Sequence, residues 1–385
     1  MSLENWLLLL TSLAALVWPV IALGTYASYR RCGSVLPARQ VDADPRMCPR
    51  VSAVLRVCDE HKDLETTLLS VLAQRGVNIE ILVISDPSAD RVREVVERVS
   101  SQDTRVRLLD EPPRKQGWLA KTNALSHGAQ RASGDYIVFT EANVIHEPGC
   151  VLAAVREMQA HRLSLLSLLP LLIWQTLWEN AAAPAFQLAM TNLLSGPIHD
   201  PGSQDALAIG AFIMVDTEVY RALGGHEPVK GEWLDDVMLA RHFKARGLSV
   251  AFRVAPRCLS ARMYTSARSL FRDNVKNCLA VFGDSLRLAI PLALTFALGG
   301  ISVLAAPFVG LWLGHPTLSM LGALVYFEVW FTVVISHPYM KTDRLKLAGF
   351  AVGIPVLLGA SAVAAYRAIR RGSRSFRGRP IRVAD

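Results

Sequence analysis

From Trp6 to Ala27 the chain carries no charged residue, and that run is long enough to cross a bilayer as one helix. Three more apolar stretches lie toward the other end, at about 288–314, 317–336 and 347–366. The region between, from Arg50 to about Arg287, has an ordinary globular composition. A chain of 385 residues, 51% hydrophobic and 19% charged, thus reads as one water-facing domain held between membrane segments.

The first segment reads as an anchor rather than a cleaved leader, because it is long and no clean small-residue cleavage site follows. Arg30, Arg31, Arg39, Arg46 and Arg50 follow it and only Glu4 precedes it, which puts the globular region in the cytoplasm. The arginines from Arg367 to Arg382 obey the same rule only if one C-terminal apolar stretch fails to cross. The stretch 317–336 contains Glu328, costly in lipid unless sheltered. The expected division is an anchor at 1–28, a cytoplasmic domain at 50–260 and a basic, aromatic interfacial segment at 261–287. Membrane segments at 288–366 and a basic cytoplasmic tail at 367–385 complete a multi-pass protein of the inner (plasma) membrane. The net charge of +8 sits largely on membrane-flanking arginines, which suits anionic headgroups better than nucleic acid. Six cysteines without a CxxC or metal-type spacing read as dispersed reduced thiols.

Within the globular region, strands and helices alternate. Val51–Leu55, Ile79–Ile84, Arg105–Leu109 and Tyr136–Thr140 read as strands. Leu64–Gln74, Ala89–Ser101 and Trp118–Ala132 read as helices, the second with Val92, Val95, Val96 and Val99 on one face. Such alternation implies parallel strands with ligands at their carboxyl ends. Leu163–Leu172 reads as a buried strand and Trp174–Leu194 as a helix, either in the core or along the membrane surface.

Several side chains at those strand ends carry candidate chemistry. Asp235-Asp236 opens a helix that stops at Gly247; a carboxylate there either caps the helix or accepts a proton from a substrate hydroxyl. Asp86 closes the second strand, where it suits a base or ribose, or an Asx turn before Pro87. Glu141 and Asn143 close the fourth; two oxygen side chains two residues apart can hold a hard cation, or simply make a turn. Gly117-Trp118 and Lys121 suit a sugar and a phosphate, or a solvated helix surface. Arg262, Tyr264, Arg268 and Arg272 interleave basic and aromatic residues ahead of the membrane, as a diphosphate clamp, a membrane-surface helix or both.

In this order the blocks resemble family 2 glycosyltransferases of the GT-A fold. The similarity is to the membrane-bound group with hopene-associated, carotenoid-type and ceramide-type members. The resemblance runs from about Val51 to Gly283. It rests on Ser85-Asp86, Gly117–Lys121, Gly134–Thr140, Gly210–Phe212, Gly224–Glu227, Asp235–Arg241 and Arg262–Tyr264. It implies an α/β GT-A (Rossmann-like) fold with a mostly parallel sheet flanked by helices, and N- and C-terminal transmembrane helices. It implies an inverting glycosyltransferase that moves a sugar from a nucleotide-sugar, by family habit a UDP-sugar, to a hydroxyl of a lipid or lipid-linked acceptor. Asp236 then takes the proton beside Asp235. Asp86, Trp118, Lys121, Glu141, Arg262, Arg268 and Arg272 bind the nucleotide-sugar. Glu141 and Asn143 hold a divalent cation, Mg or Mn.

The chain departs from the family where that cation would bind. The family's Asp-x-Asp is Glu141-Ala-Asn143 here, its Asp-Asp is Ser85-Asp86, and its Gly-Lys is Ala120-Lys121. Glutamate adds one methylene, and asparagine removes a formal charge from a site where charge dominates. The acceptor side is intact and the donor side eroded, so the alternative expectation is a silent relative that binds nucleotide or lipid as a membrane partner.

Overall fold

The computed structural model describes residues 2–39, 48–58, 61–177, 179–181, 183, 202–264, 266–282, 304–335 and 340–341, with isolated positions at 300 and between 353 and 363. The chain divides into two compact units, one of residues 31–172 and 194–263, the other of residues 1–30, 173–193 and 264–385.

The chain opens on helix α1 (Leu3–Cys32). The α/β unit then builds β1 (Arg50–Val57), α2 (His61–Leu72), β2 (Asn78–Ser85), α3 (Asp90–Ser100), β3 (Val106–Asp110), α4 (Ala120–Arg131) and β4 (Tyr136–Thr140). It continues with β5 (Val144–His146), α5 (Cys150–His161), β6 (Leu165–Leu169), β7 (Leu171–Ile173), β8 (Phe212–Asp216) and α6 (Thr217–Ala222). Helix α7 (Asp235–Ala245), β9 (Val250–Val254) and β10 (Leu259–Ala261) close it.

The seven-stranded sheet has the order β3-β2-β1-β4-β8-β6-β9. Strands β1 to β4 run parallel to one another, as their near-continuous apolar content requires of strands covered on both faces. Positions 51–55 of β1 are all buried. Val92, Val96 and Val99 seat α3 on one side, while α4 lies close enough that a Cβ on Gly128 would stand 2.6 Å from Val54 Cγ1 and Ile84 Cδ1.

The sheet is mostly parallel, as expected, and the exception is β8. It runs antiparallel to both β4 (Tyr136↔Asp216, Thr140↔Phe212) and β6 (Leu165↔Val215). An antiparallel strand starts where its parallel neighbours end. The turn into β8 at Gly210-Ala211 is therefore delivered to the edge where β4 stops at Thr140 and hands on to Glu141. A smaller sheet pairs β10 antiparallel with β5 and parallel with β7.

The second unit contains α1, α8 (Ala267–Phe282), α9 (Ala306–Trp312) and α10 (Pro316–Ile335). Ala14 and Trp18 of α1 pack with Val325 and Val329 of α10, and Leu7 packs with Ala306 and Leu318. Glu4–Cys32 and Pro316–Val334 are long and apolar enough to cross a membrane. Their outer faces expose the large apolar side chains of Leu16, Val20, Leu23, Phe327 and Phe331. Thr11 and Thr25 return their hydroxyls to the carbonyls of Leu7 and Ile21 inside the helix, so neither seeks water. Trp174 lies ahead of the helix expected from it and is buried, whereas Trp178, Phe186 and the arginine-rich tail fall outside the described residues.

Candidate active site

Helix α7 begins at Asp235 and puts both carboxylates in its first turn, where the backbone dipole favours negative charge. The two play different parts. Asp235 is buried and accepts from Lys121 Nζ at 2.8 Å. Asp236 is partly buried; its Oδ1 accepts from its neighbour's N–H at Val237, 2.8 Å, and its Oδ2 from Gly210 N–H, 3.0 Å. Burial pushes the Asp236 carboxyl up to about 6, with Asp235 and Glu141 adding to the rise and Lys121 opposing it. A carboxyl in that range is ionised at neutral pH yet basic enough to take a proton.

Lys121, in the first turn of α4, is the group the carboxylates share. Burial alone would lower its pKa; Asp235, Asp236 and Glu141 more than offset that and hold the ammonium above lysine's ordinary range. Glu141 reaches the same place from the end of β4. Its Oε1 and the Lys121 Nζ lie 2.7 and 3.4 Å from one point, where a Cβ on Gly210 would stand. The structure thus brings together Asp235, Asp236, Lys121 and Glu141 from three separate stretches of sequence.

The loops around them are tied down. Leu119 N–H and Thr122 Oγ1 both donate to the Lys230 carbonyl, at 2.8 and 2.6 Å, which joins the start of α4 to the loop before α7. Gly117 holds a φ of 81° that only glycine adopts freely. Trp118 is partly buried beside it, with Lys115 Nζ 5.6 Å from the ring centre. His226 was not singled out by its sequence context. It is buried, shares a hydrogen bond with the Tyr220 hydroxyl and packs edge-on to Phe139 at 4.9 Å. Burial pulls its pKa down to about 4; Lys121 adds to the fall and Asp235 opposes it. The one signal in sequence was its place after the Gly224-Gly225 turn.

Most of the remaining candidates have partners of their own. Asp86 is exposed and makes an Asx turn, accepting from Ser88 N–H at 2.8 Å and Ser88 Oγ at 2.6 Å. Those bonds hold its carboxyl below the usual range. Asn143 donates its Nδ2 to the Arg262 carbonyl at 3.1 Å, so both residues help shape the small sheet's edge. Arg268 and Arg272 lie exposed on α8, in the other unit, and Arg272 pairs with Asp273 at 3.1 Å.

The oxygen donors fit a divalent cation sparingly. One carboxylate plus substrate phosphates is a workable set for a hard cation, and Glu141 is the residue that could supply that carboxylate. Asn143 adds a neutral carbonyl oxygen. Among the described residues no three His, Cys, Asp or Glu side chains converge as a metal-binding group.

Residues 52–171 match the glycosyl transferase family 2. An uncharacterized glycosyltransferase of Haemophilus influenzae is 34% identical over 95 residues, 25% of this chain and 36% of that protein. The 4,4'-diaponeurosporenoate glycosyltransferase of Staphylococcus haemolyticus is 22% identical over 237 residues, 61% of this chain and 62% of the relative. The protein of that name from Staphylococcus aureus is 24% identical over 199 residues, 51% and 52% of the two chains. The chain thus spans less than two thirds of the length of these curated relatives. Among solved structures, a mannosyltransferase from Pyrobaculum calidifontis in complex with GDP-Man and Mn2+ superimposes with a TM-score of 0.55 at 16% identity. That superposition covers 95% of this chain and 99% of the other. Over residues 52–171 the chain is thus similar to family 2 glycosyltransferases, on a GT-A-like α/β fold. Its similarity extends to glycosyltransferases of the carotenoid type.

Proposed function

We propose that the protein is a membrane-bound inverting glycosyltransferase that moves a sugar from a nucleotide-sugar to a hydroxyl of a lipid or lipid-linked acceptor. The observation that carries this reading is Asp236. Two backbone N–H groups aim its carboxylate, and it stands in one charged cluster with Lys121 and Glu141. In this scheme Asp236 accepts the acceptor's hydroxyl proton. The freed oxygen attacks the anomeric carbon, and the bond to the diphosphate breaks on the opposite face. Asp235 holds Lys121 in place, and Lys121 offers a fixed positive charge to the leaving diphosphate.

Glu141, with the carbonyl oxygen of Asn143, would hold a divalent cation, which neutralises diphosphate charge when bound. Asp86, Trp118 and Arg262 are assigned to the donor side, and a UDP-sugar is the expected donor. The same role for Arg268 and Arg272 rests on their sequence motif alone. The two apolar helices support a membrane location, and the arginines after α1 support a cytoplasmic domain in a multi-pass chain of the inner membrane. The name of the carotenoid-type relatives supports an apolar acceptor.

The test is Asp236→Asn, which keeps the shape and removes the base. It should melt like the parent and lose sugar transfer; transfer at the parent rate refutes the assignment. A second reading, a nucleotide-binding partner without turnover, draws on the neutral Asn143 tied to Arg262. UDP-glucose bound by the parent chain, with no UDP released across a panel of lipid alcohols, selects it.

A further inference from the structure

Gly210 lies against Asp236, Glu141 and Lys121 without contributing a side chain. Its N–H donates to Asp236 Oδ2 at 3.0 Å. The place its Cβ would take is 2.7 Å from Glu141 Oε1 and 3.4 Å from Lys121 Nζ. Its φ is not in the left-handed region, so the backbone there would accept any L residue. Glycine is needed at 210 for space, not for conformation.

Nor can the turn step aside. Ile209 N–H donates to Ser167 Oγ at 2.9 Å, and the Ala211 carbonyl accepts from Thr140 Oγ1 at 2.7 Å. Phe212 N–H closes the turn on the Ile209 carbonyl at 3.2 Å, and Phe212 is fully buried in β8 opposite Thr140. Both flanks of Gly210 are anchored in the sheet.

We propose that Gly210 and Glu141 are a size-matched pair, in which the missing Cβ makes room for the longer carboxylate, and that Gly210 is the positioning residue that sets the spacing between Asp236 and the donor-side charges. This rests on the proposed transfer reaction and adds to it. Residue 141 carries one methylene more than aspartate would, and the space above Gly210 is where that extra reach is spent. A methyl at 210 must drive Glu141 outward, because the anchored turn cannot yield. Lys121 follows through its attraction to Glu141, and both charges shift relative to the Asp236 carboxylate that the fixed Gly210 N–H holds.

The test is a four-member cycle of the full chain: parent, Gly210→Ala, Glu141→Asp and the double variant. The readouts are thermal melting and release of nucleoside diphosphate from UDP-glucose and from GDP-mannose with dispersed lipid alcohols. Gly210→Ala should lose on the order of 100-fold in kcat, the scale of an ångström's misplacement of reacting groups. Its acidic pH limb should move, which a purely structural defect would not cause. Glu141→Asp in the Gly210→Ala background should restore both melting and turnover to near those of Glu141→Asp alone. Losses that simply multiply, or a Gly210→Ala protein that turns over like the parent, overturn the pairing. Melting decides the steric match without any turnover. A parent that releases neither nucleotide, in a set whose melting is coupled, sinks the transfer reading and leaves the match standing.

Discussion

Lys121 Nζ lies 2.8 Å from Asp235 Oδ1, and this ion pair links the first turn of α4 to the first turn of α7 across 114 residues of sequence. Asp235 is 5% exposed at its side chain and Lys121 38%, so water screens one partner and not the other. Replacing Lys121 with Met leaves a buried carboxylate without its cation. The expected cost is about 2 kcal/mol, below that of a fully buried pair because the lysine is partly solvated. Urea melts check the stability, and calorimetric titration with UDP-glucose checks the second consequence, a weaker donor complex. A Lys121→Met protein that binds UDP-glucose like the parent removes the lysine from the donor site.

The Tyr220 hydroxyl and His226 Nδ1 form a buried pair beneath this link. Tyr220→Phe keeps the ring contacts with Phe139 and leaves the imidazole nitrogen without its partner. About 1–2 kcal/mol should be lost, the usual cost of an unsatisfied buried polar atom. Because Asp235 and Lys121 act electrostatically on His226, the donor affinity should fall with the stability. Full-strength donor binding by a destabilised Tyr220→Phe would make the pair purely structural.

Much of this was legible in the residues themselves. Tyr136–Thr140 stands as expected, and β1, β2 and α3 differ from their expected limits by a residue or two, because buried parallel strands and one-faced helices leave strong patterns. The Asp235-Asp236 start of α7 was legible too. The antiparallel β8 was not. Phe212–Asp216 is as apolar as its parallel neighbours, and direction in a sheet is set by connection, not composition. Helix α5 was missed as well: its first six residues are all buried, so it has no polar face at that end to mark its period. The meeting of Glu141 with Lys121 above Gly210 was illegible for a related reason. It arises only once β8 runs backward and returns residue 210 to the end of β4.

Three groups set opposing trends in acid. Burial holds the imidazoles of His146 and His226 down to about 4, from an ordinary 6.5. Between those values the unfolded chain binds protons that the native chain refuses, so each histidine lowers stability as the pH falls. Asp236 works the other way. Its folded value of about 6 lies above the unfolded one, so the native state keeps its proton longer and gains stability on acidification from 6 toward 4. Two imidazoles outweigh one carboxyl. The parent should therefore lose stability below about 6.5, and Asp236→Asn, which removes the opposing group, should lose it more steeply. Urea midpoints at neutral pH and at two acidic values decide this; a shallower acid decline in Asp236→Asn contradicts the raised carboxyl. Transfer by the parent should fall along one acidic limb centred near 6, where the base protonates.

The seat of α4 on the sheet should matter to the donor as much as to the fold. A Cβ on Gly128 would stand 2.6 Å from both Val54 Cγ1 and Ile84 Cδ1, side chains that are themselves completely buried. Alanine in a helix interior is favoured over glycine by about 1 kcal/mol. Overpacking against an unyielding sheet costs about 1–3 kcal/mol. The crowding term should win, so Gly128→Ala should destabilise by about 1 kcal/mol net, and its route of relief is for α4 to lift from β1 and β2. Lys121 rides on the first turn of that helix, so the lift carries its ammonium away from Asp235 and Glu141. Gly128→Ala should then weaken UDP-glucose binding although the atoms nearest a Cβ at 128 are all apolar. Calorimetric titration beside a thermal melt reads both effects. A Gly128→Ala protein more stable than the parent would show that the sheet gives way and that helix preference, not packing, governs this contact.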